Sequence, residues 1–233
     1  MSRMAMRRTI LVAVFVFLAL AWAQAQEAPG LTPGQKFFFE TVAARRSVRS
    51  FKADAVSDAH LAMILDAARM AATSGNQQPW KFLVVRDRQK MAALKKACLE
   101  AGMLRIQAGA GSAAAPDPDA EQVKKLQGYY DTIFTAPLFV VVLVDKQSRY
   151  PDYNRFDGPM AVANLMLAAR ALGYGTVFYT DTIAPDAARR VLRIPERYEQ
   201  VCITPIGVPS EWPKPPAKKE LSDFIVYESF SGE

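Results

Sequence analysis

One histidine and two cysteines in 233 residues leave little room for several kinds of chemistry. A Ser-His-Asp triad would have to use His60, and a zinc site built on several histidines has no second one to draw on. His60 lies beside the apolar stripe Leu61, Ile64, Leu65 and Ala68, the place of a surface or boundary residue. Cys98 falls in register with Met91 and Leu94 on an apolar helix face, and Cys202 sits in the run Val201–Val208. Both read as core residues, although an exported protein could join them.

An excess of charge is also missing. The formal net charge of +6 includes Arg3, Arg7 and Arg8, which precede an apolar run and are expected to be removed with it; +6 less 3 leaves +3. Lysines and arginines are spread along the chain instead of forming a stripe, which argues against a nucleic-acid partner. There is no internal repeat, no low-complexity tract and no Gly-x-Gly-x-x-Gly dinucleotide-binding unit. Half of the residues are hydrophobic (51%) and 22% are charged, enough apolar material for one core in one domain.

The N-terminus has the form of an export signal. Three arginines precede the unbroken apolar run Ile10–Ala23, and Ala23-Gln24-Ala25 offers a small-x-small cleavage site before Gln26. The run is short for a membrane span, so no stable membrane insertion is expected after cleavage. Arg7-Arg8-Thr9-Ile10-Leu11 partly matches a twin-arginine signal, and the route, Sec or Tat, stays open. The expected organisation is a signal peptide over 1–25, a Pro and Gly linker over 26–34, and a domain over 35–233 in a periplasmic protein.

The most informative stretch is Ala44–Trp80. In Arg45-Arg46-Ser47-Val48-Arg49 an extended backbone would put Arg45, Ser47 and Arg49 on one side, because side chains two apart point the same way. Two guanidiniums and a hydroxyl suit a phosphate. One helix later, Thr73-Ser74-Gly75-Asn76-Gln77-Gln78-Pro79-Trp80 brings small polar residues that can set backbone and amide groups against a flat polar ring.

Along the chain, Gln35–Ala44 is predicted as a helix whose three phenylalanines must be buried, and Ser57-Asp58 caps a helix reaching about Ala72. A strand over Phe82–Val85 and a helix over Asp87–Ala101 follow. The Ala- and Gly-rich segment Gly102–Asp119 has no clean period and reads as a lid or a surface loop. Then come a helix over Glu121–Ile133 and a strand over Pro137–Val144, continuous in apolar residues and therefore buried on both faces. Asp157 is positioned to cap a nearly all-round apolar helix, Pro159–Leu172, which Gly173 ends; its Asn164 must find a hydrogen bond. Val177–Tyr179 begins a strand, Pro185–Leu192 is a short helix and Gln200–Val208 is the last core strand. The tail Pro209–Glu233 has four prolines and cannot form a core of its own, so its apolar end must pack elsewhere.

Four stretches in this order resemble the nitroreductase family of FMN-dependent oxidoreductases. They are Arg45–Arg49, Thr73–Trp80, the helix and turn from Asp157 to Thr176, and Ile206-Gly207-Val208-Pro209 with its basic tail. The likeness covers nearly all of the chain after about Gly34. It implies an α+β fold with a central mixed, mostly antiparallel sheet covered by helices, and a homodimer in which the C-terminal arm, 209–233, wraps the partner. It also implies bound FMN, with electrons passing from a reduced donor such as NAD(P)H to a nitroaromatic, quinone or similar small acceptor in a ping-pong cycle.

Carried over residue by residue, the resemblance assigns Arg45, Arg46 and Ser47 to the phosphate and ribityl end and Arg49 to the pyrimidine edge. Ser74 and Asn76 go to the ring or ribityl chain, backbone around Phe178, Tyr179, Thr180 and Asp181 passes near N5, and Lys218 and Lys219 return to the phosphate. Two departures stand out: no glycine in the run Phe178–Asp181, and Glu220 where an arginine commonly closes the basic motif. Trp80 reads as core, and no catalytic acid or base can be named. The alternatives are a specialised relative (oxidase, dehalogenase or flavin-consuming enzyme), a flavin-binding protein without turnover, and an exported binding module without flavin.

Overall fold

A computed structural model describes residues 30–109 and 119–230. The expected signal peptide, most of the linker and the segment 110–118 lie outside the described residues. The described residues fall into two compact units that divide between Ala43 and Ala44.

In the first unit, helix α1 spans Pro33–Ala44. It starts two residues earlier than predicted because Thr32 and Gln35 form a reciprocal cap: Thr32 N–H donates to Gln35 Oε1 at 2.8 Å, and Gln35 N–H to Thr32 Oγ1 at 3.4 Å. Pro33 takes the first helical position, where its missing N–H costs nothing. The expected burial of the aromatic face is not met: Phe37, Phe38 and Phe39 are each more than half exposed. Three consecutive residues sweep about 200° of a helix, so no single core could take all three rings.

The second unit is organised on strand β2, Leu138–Asp145, seated between β1, Trp80–Val85, and β3, Tyr198–Ile206, in the order β1-β2-β3 with both pairs antiparallel. Seven consecutive apolar residues of β2 are buried. On one face Phe139, Val141 and Leu143 meet Met91, Leu94 and Cys98 of α3 (Arg88–Gly109), Tyr130 and Ile133 of α4 (Ala120–Ile133) and Ala188 of α6 (Pro185–Leu192). On the other, Leu138, Val140 and Val142 meet Leu61 and Ile64 of α2 (Asp58–Arg69) and Val162, Leu165 and Ala169 of α5 (Asn154–Ala171). The α+β expectation holds.

Apart from shifts of up to about three residues at helix and strand ends, three elements differ from the sequence reading. Val177–Tyr179 forms no strand; it is tied in by isolated bridges, Tyr179 to Ile203 antiparallel and, just before it, Thr176 to Ser47 parallel. The sheet itself is antiparallel throughout, and the expected mixed character is limited to the one isolated parallel bridge outside it. Helix α3 does not stop at Ala101 but runs through Gly102 to Gly109, absorbing the first half of the segment read as a lid or loop; Ala, Met, Leu, Arg and Gln there are good helix formers. Asp119 caps α4 with a capping box to Gln122. Helix α5 begins at Asn154, after a 3-10 turn over Pro151–Tyr153, so Asp157 lies inside it instead of capping it, and Pro159 is an internal residue. Asn164 finds its partner across the helix pair, donating to Ala67 O at 3.2 Å.

Close approach of α5 to the sheet depends on Gly158, where a Cβ would stand 2.5 Å from Val201 Cγ2 and 3.1 Å from Val144 Cγ1. Gly158→Ala is expected to cost about 1–3 kcal/mol, read as a lowered denaturation midpoint. Cys98 and Cys202 are free and belong to cores on opposite faces of β2, which settles the pairing left open by the sequence. Burial pushes the thiols from an ordinary 9.0 up to about 11 and about 12. The native chain therefore keeps protons that the unfolded chain releases above 9.0, so stability is insensitive to these groups below that pH and falls as pH climbs towards 11. Unfolding midpoints across that window, compared with Cys98→Ala and Cys202→Ala, measure the effect.

Candidate functional site

Segment 45–51 is pinned to the core by two apolar side chains, Val48 and Phe51, both buried. Its backbone is tied by Val48 N–H to Thr176 O (2.9 Å), Phe51 N–H to Thr135 Oγ1 (3.0 Å) and Lys52 N–H to Val208 O (2.9 Å). With Val48 turned inward, Arg45 and Ser47 point into a cavity of about 450 Å³. Its other lining comes from one face of α5, Pro159, Ala163, Met166 and Leu167, and from Phe178. A second cavity, about 410 Å³, shares Pro159 and Phe178 with the first. Asp152, Arg155, Thr180, Glu199 and Gln200 give the second cavity its polar character.

The first cavity is chemically asymmetric. A guanidinium and a hydroxyl face an apolar wall, and neither Arg45 nor Arg49 is in an ion pair among the described residues. Such a place suits an anionic group attached to a flat apolar body.

Arg49 departs from the expected alignment. It is exposed, donates to Ser47 O at 3.3 Å and does not line the cavity. Its guanidinium lies near the Tyr179 phenol, as does Tyr129. The Tyr179 hydroxyl is nonetheless buried without a hydrogen bond of ordinary geometry, and burial pushes its pKa above the usual phenol range. Arg46 is half-buried and donates to Arg45 O at 2.8 Å.

The turn at Ser74 is a short 3-10 element with three residues in the left-handed region, Gly75 (φ 56°), Asn76 (φ 55°) and Gln78 (φ 48°). Ser74 and Asn76 line neither cavity in the single chain. Ser74 N–H donates to Asp157 Oδ1 at 3.1 Å, and Gln77 Nε2 to Asp157 Oδ2 at 2.7 Å. Of the run Phe178–Asp181, Phe178 and Thr180 reach the cavities, Tyr179 points into the core, and Asp181 is exposed and accepts from Thr180 Oγ1 at 3.1 Å. Lys218 and Lys219 stand exposed on the arm. Its root is fixed by Arg170 of α5 stacked 3.9 Å over the Trp212 ring, while Phe224, Val226 and Tyr227 beyond it are exposed. Trp80 is buried and stacks on Phe82, a core role as expected. His60 Nδ1 meets Tyr174 Oη at 2.8 Å.

Two groups of site residues escaped sequence reasoning. The wall Pro159, Ala163, Met166 and Leu167 has the spacing of one helix face, but a helix apolar nearly all round gives no hint of which face meets a cavity. Asp157 carried the residue type of an N-cap, and its burial inside the helix has no sequence signal. No group of residues that could hold a metal occurs among the described residues, and no helix there is long and apolar enough to cross a membrane.

Comparison with known proteins agrees with this architecture. The sequence profile of the nitroreductase family matches residues 42–208. A candidate NADH dehydrogenase/NAD(P)H nitroreductase of Archaeoglobus fulgidus is 31% identical over 172 residues, 72% of this chain and 82% of that protein. The 5,6-dimethylbenzimidazole synthase of Rhodospirillum rubrum is 31% identical over 178 residues, 72% of this chain and 79% of the other. Among solved structures, an FMN-dependent nitroreductase of Clostridium difficile R20291 superposes with a TM-score of 0.60 at 26% identity, covering 82% of this chain and 99% of that one. With a family profile spanning most of the second unit and relatives matched over most of their own length, the chain belongs to the nitroreductase family.

Proposed function

We propose that this chain is an FMN-dependent oxidoreductase that takes electrons from a reduced donor, NADH or NADPH, and passes them to a nitroaromatic, quinone or similar small acceptor in a ping-pong cycle. The observation that carries the reading is the cavity in which Arg45 and Ser47 face an apolar wall across from Phe178. Its residues fit the coenzyme. Arg45 at the cavity and Arg49 four residues on have no carboxylate partners among the described residues, and the buried Tyr179 hydroxyl near Arg49 has no hydrogen bond of ordinary geometry. Such a set is polar where FMN is polar and apolar where its ring is apolar.

When bound, FMN supplies the redox chemistry, accepting a hydride and returning the electrons to an acceptor at its face. Arg45 and Ser47 would hold the phosphate, and Arg49, supported by Tyr179, would face the pyrimidine edge where negative charge collects on reduction. The α5 face and Phe178 would exclude water from the ring. Protons would come from solvent, so no acid or base in the chain is required. The working form in this reading is a homodimer whose arm, with Lys218 and Lys219, crosses to the partner, and the mature protein is exported and starts at or near Gln26. N-terminal sequencing of the purified protein that returned Met1 would refute the export claim.

The R. rubrum synthase, at the same identity as the nitroreductase-like relative, favours a second reading, a specialised flavoenzyme. In that reading the protein would form 5,6-dimethylbenzimidazole, which chromatography of a turnover mixture detects.

The first test is the visible spectrum of the purified protein followed by anaerobic titration with NADH and NADPH. A yellow protein bleached by a nicotinamide and reoxidised by a nitroaromatic or quinone is expected. A flavin band that no donor bleaches would leave a binding protein without turnover, and colourless protein that takes up no added FMN would remove the flavin altogether. Arg45→Ala with Arg49→Ala is expected to strip FMN while the fold persists, since each lost charge-assisted contact is worth roughly 1.5–3 kcal/mol. A full complement of FMN in the double variant would overturn the phosphate assignment.

A further inference from the structure

We propose that Gln77 and Asp157 form a clamp that sets the shape of the Ser74–Asn76 turn and so act as positioning residues for the flavin contacts that the family resemblance assigns to Ser74 and Asn76, an inference that rests on the FMN reading above. The turn needs an external hold. Asn76 and Gln78 are not glycines yet sit at φ 55° and 48°, a left-handed conformation that side-chain-bearing residues rarely adopt. Gly75 lies against the Tyr150 ring, where a Cβ would be 2.5 Å from Cε2.

Gln77, between the strained residues, uses its whole amide to hold them. Its Nε2 donates to Asp157 Oδ2 at 2.7 Å, to Tyr150 O at 3.0 Å and, more weakly, to Asn154 Oδ1 at 3.4 Å. Its Oε1 accepts from Tyr150 N–H at 2.7 Å. The other oxygen of Asp157 takes the backbone N–H of Ser74 at 3.1 Å. Asp157 therefore grips the turn by one main-chain and one side-chain donor, and it is 2% exposed.

The choice of a carboxylate reflects the groups that face it. Both partners are donors, so an acceptor-only group satisfies both, whereas an asparagine would turn an NH₂ against one of them. Burying a charge without a cation is costly, and Asp157 is in no ion pair among the described residues. Its place in the first turn of α5 offsets part of that cost through the helix dipole. Asn154 is itself anchored, donating to Asp145 O at 2.9 Å and accepting from Ser148 Oγ at 3.1 Å. Two residues past Asp157 on the same helix, Pro159 lines both cavities, so the clamp registers the turn against the wall of the site.

The test is a charge exchange in the full chain, read by FMN titration of the coenzyme-free protein and by hydrogen exchange at the Ser74 and Gln77 amides without FMN. Gln77→Ala is expected to raise the FMN Kd about tenfold or more and to speed exchange at both amides. Gln77→Glu sets two carboxylates face to face and should do worse than Gln77→Ala. Adding Asp157→Asn to Gln77→Glu restores a donor-acceptor pair across the same gap and should recover part of both losses, the introduced carboxylate oxygen still facing Tyr150 O, although Asp157→Asn alone weakens binding. A Kd within about twofold of wild type in Gln77→Ala, or a double variant no better than Gln77→Glu, would overturn the clamp. If wild-type protein takes up no FMN, the functional reading fails and the exchange data decide alone: exchange sped in Gln77→Glu and slowed again in the double variant upholds the clamp, and unchanged exchange refutes it. Should Gln77→Glu fail to fold by circular dichroism, recovery of a folded double variant still supports the pair, and failure of both leaves Gln77→Ala as the deciding case.

Discussion

The second unit depends on a strand with no polar side. Leu138 to Val144 offers water nothing on either face, so β2 can exist only with a helical layer above it and another below. The two sets of alternate side chains then recruit different helices, α3, α4 and α6 to one face and α2 and α5 to the other. From that division much else follows. Cys98 and Cys202 are separated by the sheet, and α5 is pressed onto the sheet as closely as Gly158 allows. The wall of both cavities is thereby built on one of the most buried elements of the unit, which is where a site that must hold its geometry belongs.

How far the fold was legible depended on whether a residue type has one meaning or several. Pro185 and the Ser57 cap each have one, and the helices they begin lie close to where the sequence puts them. Aspartate 157 has two, since a carboxylate before an apolar run can cap a helix or be buried inside it with donors brought to it. Only the distant partners Ser74 and Gln77, about 80 residues away in the chain, decide between them. Val177–Tyr179 failed for a related reason: a short apolar run looks the same whether it joins a ladder or touches its neighbours through single bridges.

The basic segment shows the same limit at the site itself. Placing Arg45, Ser47 and Arg49 on one side assumed a straight extended backbone of period two. Val48 and Phe51, three residues apart, are both buried, and a strand of period two cannot point both to one side without turning. The turn falls between them, leaving Arg45 and Ser47 on the cavity and diverting Arg49 towards Tyr179. The apolar residues of the motif, which looked like filler between charges, are what aim the charges.

The same reasoning bears on the proposed homodimer. A chain that buries β2 so completely leaves Tyr153, Phe156 and Met160 of the α5 region exposed, and leaves Leu221, Phe224 and Tyr227 on an arm whose described residues have no regular structure beyond one 3-10 turn. An arm held to α5 only at its root, through Arg170 and Trp212, has no apolar surface of its own to fold onto. Exposed apolar residues in this number are costly in water for a monomer. In the proposed dimer a two-fold axis would cure both defects with one operation, because the arm of each copy could cover the exposed face of the other, and any contact made once would be made twice. Lys218 and Lys219 lie on the arm before its apolar end, so burying that end against the partner would carry both lysines towards it.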